Sequence, residues 1–183
     1  MRLFIASSFE PRFVENLRDI REYARSNSGE DAVKWVEDEQ FHVTYAFLGE
    51  LPGVQQAVKS MNEALEGFPA FRVMSGGLGA FPSSRNPRVL WLSIAEGDKI
   101  LREINEKLAG ALTANGIFFE NRFEPHVTLG RVKRPLPENF FRRAADYAAA
   151  KRIPSAVASV ELMRSALTPD GPEHSVVYTK RLL

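Results

Sequence analysis

The chain has 183 residues, no cysteine and a formal net charge of +1. That length fits one domain or two small lobes around a shared core, and a chain of this size buries about 70% of its unfolded surface without a disulfide or structural metal. The composition excludes disulfides, thiol catalysis and cysteine-ligated zinc or iron–sulfur sites, fits a reducing cytosol, and supplies no overall field for nucleic acid or membrane, leaving only a local basic surface open.

The apolar run at 3–6 is too short for a signal-peptide core, and no stretch approaches the ~20 apolar residues of a membrane span. A soluble, cytoplasmic monomer is expected. Residues 2–9 suit a buried strand. Pro11 then opens a helix in which Phe13, Leu17, Ile20 and Ala24 recur at helical spacing, ended by Ser26-Asn27-Ser28-Gly29. Strands are expected at 33–36 and 41–48, followed by a turn at Gly49-Glu50-Leu51-Pro52. Val54, Ala57, Val58, Met61 and Leu65 mark one face of a second helix.

Residues 71–74 are strand-like. Gly76-Gly77-Leu78-Gly79 lacks the lysine of a phosphate loop and the strand-to-helix setting of a dinucleotide site, so a turn is expected there. A loop follows at 81–87 and a strand at 89–94. Leu101, Ile104, Leu108 and Leu112 define a third helix, stopped by Gly116. Residues 118–123 lead to a strand at 125–132, and the stretch from Pro135 to Ala150 favours helix. The tail holds strand candidates at 156–167 and 175–183, divided by a Pro169-Asp170-Gly171-Pro172 turn. This irregular order of strands and helices favours an α+β fold with largely antiparallel sheets.

Two of the three histidines lie in copies of one tripeptide, His42-Val43-Thr44 and His126-Val127-Thr128. With threonine this rare, the coincidence is on the order of 1 in 500 by random placement, enough to count as a motif. Each copy sits in a β-prone segment, where alternation points a histidine and its threonine to the same side, ~6–7 Å apart. Two such strands facing one cleft would offer two imidazoles and two hydroxyls to a phosphate. Imidazole titrates near neutrality, so one ring can take a proton from water while the other gives one to a departing oxygen. The threonines can donate to the non-bridging oxygens. No cofactor or metal is required.

The segment Trp35-Val36 through His42-Val43-Thr44-Tyr45-Ala46-Phe47-Leu48-Gly49-Glu50 resembles the first signature of the 2H phosphoesterase superfamily. Pro125-His126-Val127-Thr128-Leu129-Gly130-Arg131 resembles the second. Within the superfamily the likeness is to the RNA 2′,3′-cyclic phosphodiesterases, also called 2′-5′ RNA ligases, and it extends over nearly the whole chain. It implies a bilobal fold over 1–183: two mostly antiparallel sheets flanked by helices, with a central groove between two pseudo-symmetric lobes. It also implies metal-independent hydrolysis of RNA 2′,3′-cyclic phosphate ends, tRNA halves among them, to 2′-phosphates, with weak reverse 2′-5′ ligation. By the same resemblance His42 protonates the leaving 3′-oxygen, His126 activates water, Thr44 and Thr128 hold phosphate oxygens, and Arg131 adds positive charge. Gly130 stands where the family often has alanine.

Other readings stand beside this one. The substrate could be a small cyclic nucleotide or a 2′-5′-linked oligonucleotide. A non-catalytic RNA- or nucleotide-binding module is the alternative from another class, disfavoured by the four intact motif residues. A metal site of His42, His126 and His174 is disfavoured because no acidic residue stands at ligand spacing in either motif. His174 follows a Pro-Gly turn and is expected to be solvated. Arg131, Lys133 and Arg134 could steer an RNA backbone, as could Arg142, Arg143, Lys151 and Arg152. Trp35, Phe81 and Tyr45 are candidates to stack a base, with core packing at least as good a reading for the first two. The Tyr45 ring is expected on the side opposite Thr44.

Overall fold

The computed structural model describes residues 1–169 and 171–183. Its elements run β1 (Arg2–Ser8), α1 (Pro11–Asn27), β2 (Val33–Trp35), a 3₁₀ turn (Asp38–Gln40), β3 (His42–Glu50), α2 (Gln55–Ala64), β4 (Phe71–Ser83) and β5 (Asn86–Glu96). They continue with α3 (Asp98–Ala114), β6 (His126–Val132), α4 (Phe140–Ala149), β7 (Pro154–Val157), β8 (Ser159–Thr168) and β9 (Gly171–Arg181). Among the described residues no helix is long and apolar enough to cross a membrane.

The helices form where the apolar spacing places them. Pro11 stands at the start of α1, where a missing N–H costs nothing, and Phe13, Leu17, Ile20 and Ala24 turn inward together. Gly116, at φ 80°, ends the chain path of α3, its N–H donating to the Thr113 carbonyl at 3.0 Å.

The strands make two sheets, ordered β3-β1-β8-β9 and β2-β6-β5-β4-β7, with every pairing antiparallel. The α+β, two-sheet expectation holds. Helix α1 packs on α4 and α4 on β4, while α2 packs on α3, which lies against β3 and β5. One continuous apolar core joins both sheets and all four of these helices. On β1, alternation sends Leu3 and Ile5 into that core, whereas Phe4 and Ala6 join Met163 in a small cluster on the other face. Strands β3 and β6, which carry the two His-Thr pairs, come from different sheets and touch each other.

Three local expectations are corrected. The Gly76-Gly77-Leu78-Gly79 run is inside β4, not in a turn. Its glycines let the sheet close: a Cβ on Gly79 would lie 2.4 Å from the Trp91 ring, so only glycine accepts that ring across the strand pair. Residues 81–87 are not a loop, because β4 and β5 form one long hairpin that pairs Phe81 with Val89 and Ser83 with Asn86. The single strand expected at 156–167 is two strands in different sheets, β7 beside β4 and β8 beside β1. Of the expected 169–172 turn, Asp170 lies outside the described residues; the flanking Thr168 and Gly171 pair as the end of the β8–β9 hairpin.

Candidate active site

Both His-Thr strands break the strict two-residue alternation at the same place. Against β1, Thr44 pairs with Ala6 and Ala46 with Ile5, leaving Tyr45 as the extra residue of a bulge. Against β5, Thr128 pairs with Trp91 and Gly130 with Leu90, leaving Leu129 as the extra residue. Both bulged side chains are buried. A bulge shifts the alternation by one, so the residue three positions after each threonine returns to the threonine's side. That residue is Phe47 on β3 and Arg131 on β6.

The result is a single groove of about 560 Å³ whose lining includes His42, Thr44, His126, Thr128 and Arg131. All five expected site residues meet there. Of the basic residues considered for RNA contact, Arg131 lines the groove and the six others do not. Lys151 instead pairs with Asp19 at 3.0 Å, and Arg143 reaches Asn27. Arg2 and Arg122, which the sequence did not single out, add two cations to the groove wall.

The two imidazoles are held alike. His126 Nδ1 lies 2.6 Å from the Glu124 carbonyl, two residues earlier. His42 makes a backbone hydrogen bond with Gln40, also two residues earlier. A carbonyl can only accept, so Nδ1 of His126 carries the proton and Nε2 keeps a free lone pair. Glu124 is itself fixed from α3, where Arg102 Nη2 bonds its carboxylate at 2.9 Å and Nη1 donates to the Phe123 carbonyl at 3.3 Å.

Aromatic rings pack behind both histidines. Phe81 meets His126 edge-on at 5.1 Å with Trp91 beyond, and Phe4 lies 5.3 Å from His42. Burial pushes the His42 imidazole down to about 4, helped by positive charge on His174 and on His126, and opposed by the Gln40 hydrogen bond. Burial also lowers His126, opposed by the Glu124 backbone contact and carboxylate. Burial therefore favours neutral rings, and an anion between them would reverse that balance.

The expectation that His174 is solvated is corrected. It is partly buried in the groove wall, edge-on to Phe4 at 4.8 Å and 5.6 Å from the His42 ring, and burial lowers its titration. The Gln40 side chain holds its hairpin by donating to the Pro172 carbonyl at 2.9 Å. Among the described residues no set of three His, Cys, Asp or Glu side chains is placed to hold a metal ion. Tyr45 points away from the groove's centre, its hydroxyl 3.0 Å from Ser7 Oγ. Trp35 packs on the core and Phe81 sits under His126, both partly exposed, and neither lines the groove.

Gly130 has a steric reason. A Cβ there would lie 2.6 Å from Val33 Cγ1 and 3.0 Å from the Lys34 carbonyl, so β2 can approach β6 only over glycine.

Two antiparallel sheets that each bring a His-x-Thr strand to one groove define the 2H class of phosphoesterases. The model of the LigT-like phosphoesterases matches residues 9–91 and 93–174, and the chain belongs to that family. A protein of Thermotoga maritima named RNA 2′,3′-cyclic phosphodiesterase is 31% identical over 97% of this chain and 94% of its own. One of the same name from Aeropyrum pernix is 37% identical over 80% of this chain and 84% of its own. Among solved structures, a Thermus thermophilus protein superposes with a TM-score of 0.79 at 27% identity, covering 100% of this chain and 98% of that one. The E. coli LigT structure in complex with 3′-AMP, at 24% identity, shares the fold with a TM-score of 0.73, covering 99% and 97%.

Proposed function

We propose that this enzyme hydrolyses the 2′,3′-cyclic phosphate ends of RNA to 2′-phosphomonoesters by paired histidine acid–base catalysis, with no metal in any step. The observation that carries the reading is the convergence of His42, Thr44, His126, Thr128 and Arg131 on one groove, from two different sheets. Relatives named RNA 2′,3′-cyclic phosphodiesterase, matching nearly the full chain, support the substrate class.

His126 is the base. Its Nδ1 proton is engaged with the Glu124 carbonyl, which leaves Nε2 to take a proton from water as the water oxygen attacks phosphorus. The P–O3′ bond breaks, and His42 gives its proton to the departing 3′-oxygen. Phosphate remains on the 2′-oxygen. Thr44 and Thr128 donate to the non-bridging oxygens, and Arg131 offsets the charge that builds there. A 5′-hydroxyl taking the place of water would give a 2′-5′ bond by the same proton transfers. Each sheet with its His-Thr strand acts as one of two pseudo-symmetric lobes, consistent with family matches to the two halves in turn.

The test is turnover of an oligonucleotide ending in a 2′,3′-cyclic phosphate. His42→Ala and His126→Ala each lower kcat by at least ~100-fold while thermal unfolding stays cooperative. The product is a 2′-monoester, and chelator leaves the rate unchanged. Wild-type turnover in either variant, or a 3′-monoester product, contradicts the assignment.

A further inference from the structure

Helix α1 turns Phe13, Leu17, Ile20 and Ala24 inward, and Arg21 goes with them. Among the described residues only two charged side chains are buried, Arg21 and Glu161. Taking a guanidinium out of water is costly unless its charge and its donors are matched. Most of the matching comes from one short stretch of chain at 36–41. Arg21 Nη1 donates to the Val36 carbonyl at 2.6 Å and lies 2.9 Å from Asp38 Oδ1. The guanidinium stands 5.5 Å from the centre of the Phe41 ring. Its remaining edge faces Glu22 of the same helix, with Nε donating to that carboxylate at 3.1 Å. Asp38 takes a further bond from Arg18, one turn earlier on α1.

That stretch leads directly into His42. A capping box between Glu37 and Gln40 closes the 3₁₀ turn, so a fixed Asp38 fixes Gln40 as well. The Gln40 backbone bonds the His42 ring, and the bond favours the protonated imidazole, so the ring donates and the carbonyl accepts. The other wall has a counterpart in Arg102 of α3, which holds Glu124 ahead of His126. Each histidine is thus preceded by a segment tied to a helix through an arginine. Arg102 and Glu124 are about half exposed, whereas Arg21 is buried. An exposed pair holds weakly, and a buried one with three kinds of partner holds firmly.

We propose that Arg21 is a positioning residue for His42: through Val36, Asp38 and Gln40 it fixes the direction in which the imidazole presents its free nitrogen to the departing oxygen. A proton passes only within hydrogen-bond reach, and a misplacement of about 1 Å costs up to ~100-fold in rate. A planar fork can face a carbonyl and two carboxylates at once, which a single ammonium cannot. The inference rests on the proposed function for the role of His42 as the acid, and on the contacts of Arg21 alone for the tether.

The experiment is Arg21→Met, which keeps the length of the side chain and removes the fork. On an oligonucleotide ending in a 2′,3′-cyclic phosphate, kcat is expected to fall about tenfold while KM stays within about twofold. In ¹⁵N-labelled protein, with the ring signals assigned through His42→Gln, the His42 ring N–H is expected to lose its protection from exchange with water. The His126 ring N–H keeps its protection. If Arg21→Met does not fold, Asp38→Asn at the less buried end of the tether is expected to show the same pattern with a loss of about threefold. An unchanged kcat in a folded variant, a loss carried by KM alone, or equal loss of protection at both rings overturns the proposal. Retained turnover in His42→Ala counts instead against the acid assignment of the proposed function, and the protection pattern then still decides whether Arg21 holds the ring.

Discussion

Tyr45 and Leu129 hold matching places in the two strands that build the groove. Each is the extra residue of a bulge one step beyond a motif threonine, and each bulge leaves a carbonyl outside the regular ladder. The Leu129 carbonyl accepts from the Val36 N–H at 3.0 Å, a backbone donor just beyond β2. The Tyr45 carbonyl lies on β3, an end strand of its sheet among the described residues. There the donor is a side chain: Asn105 Nδ2 from α3, at 2.8 Å, with its second proton given to Asn121 Oδ1 at 3.0 Å. Asn105 is 4% exposed, so polar burial inside an otherwise apolar helix face is offset by these two bonds.

Asn105→Leu keeps the volume and removes both bonds, leaving the Tyr45 carbonyl buried without a donor. The expected loss of stability is about 1–3 kcal/mol, read by chemical denaturation. Because the bulge sets where Thr44 and Phe47 point, kcat and KM for a cyclic-phosphate substrate should worsen together. Full activity in a destabilised variant would show that the bulge persists without its side-chain donor.

The motif residues were legible in the sequence because their chemistry is local: a histidine and a threonine two apart on a strand share a side whatever the rest of the chain does. The bulges were not. Strict alternation places Arg131 on the side away from Thr128, and only the family resemblance put it in the site; the extra residue at Leu129 gives the physical reason. Phe47 reaches the groove side by the same kind of bulge, its offset from His42 equalling that of Arg131 from His126. A Pro-Gly turn marks a chain reversal but not what the reversal packs on, so the placement of His174 against Phe4 and His42 has no local sequence signal. The glycine run at 76–79 looked like a turn because nothing local discloses the Trp91 ring that lies across Gly79.

The proposed acid, His42, is the ring that its surroundings hold most firmly neutral, its imidazole pushed down to about 4 by burial and by the two other histidines. Its proton must then arrive with the substrate. A phosphate anion between the walls replaces repulsion among imidazoles by attraction to an anion and raises His42 toward neutrality. Binding of 3′-AMP at pH 6.5 should therefore take up protons, measurable by calorimetry in buffers of different ionisation enthalpy. The acidic partner's limb in the pH profile of kcat should also lie above that of kcat/KM. Zero uptake, with coincident limbs, would mean that His42 is not the group that gains the proton.

The same depression makes His42 a source of acid sensitivity. Its ordinary value is 6.5 and its folded value about 4, so between those limits the unfolded chain binds a proton that the folded protein refuses. Stability is therefore fully present above pH 6.5, falls as pH drops through this window, and levels off below about pH 4, for a contribution on the order of 3 kcal/mol. His126 and His174, both also lowered by burial, act in the same direction. His42→Gln removes the titrating group while keeping a polar side chain of similar reach. Denaturation curves for this variant and the wild type, collected from pH 7.5 to 4, should converge or cross as the wild type loses the larger share of its stability. Parallel curves across the whole range would place the acid sensitivity elsewhere and leave His42 as easily protonated in the folded protein as in the unfolded chain.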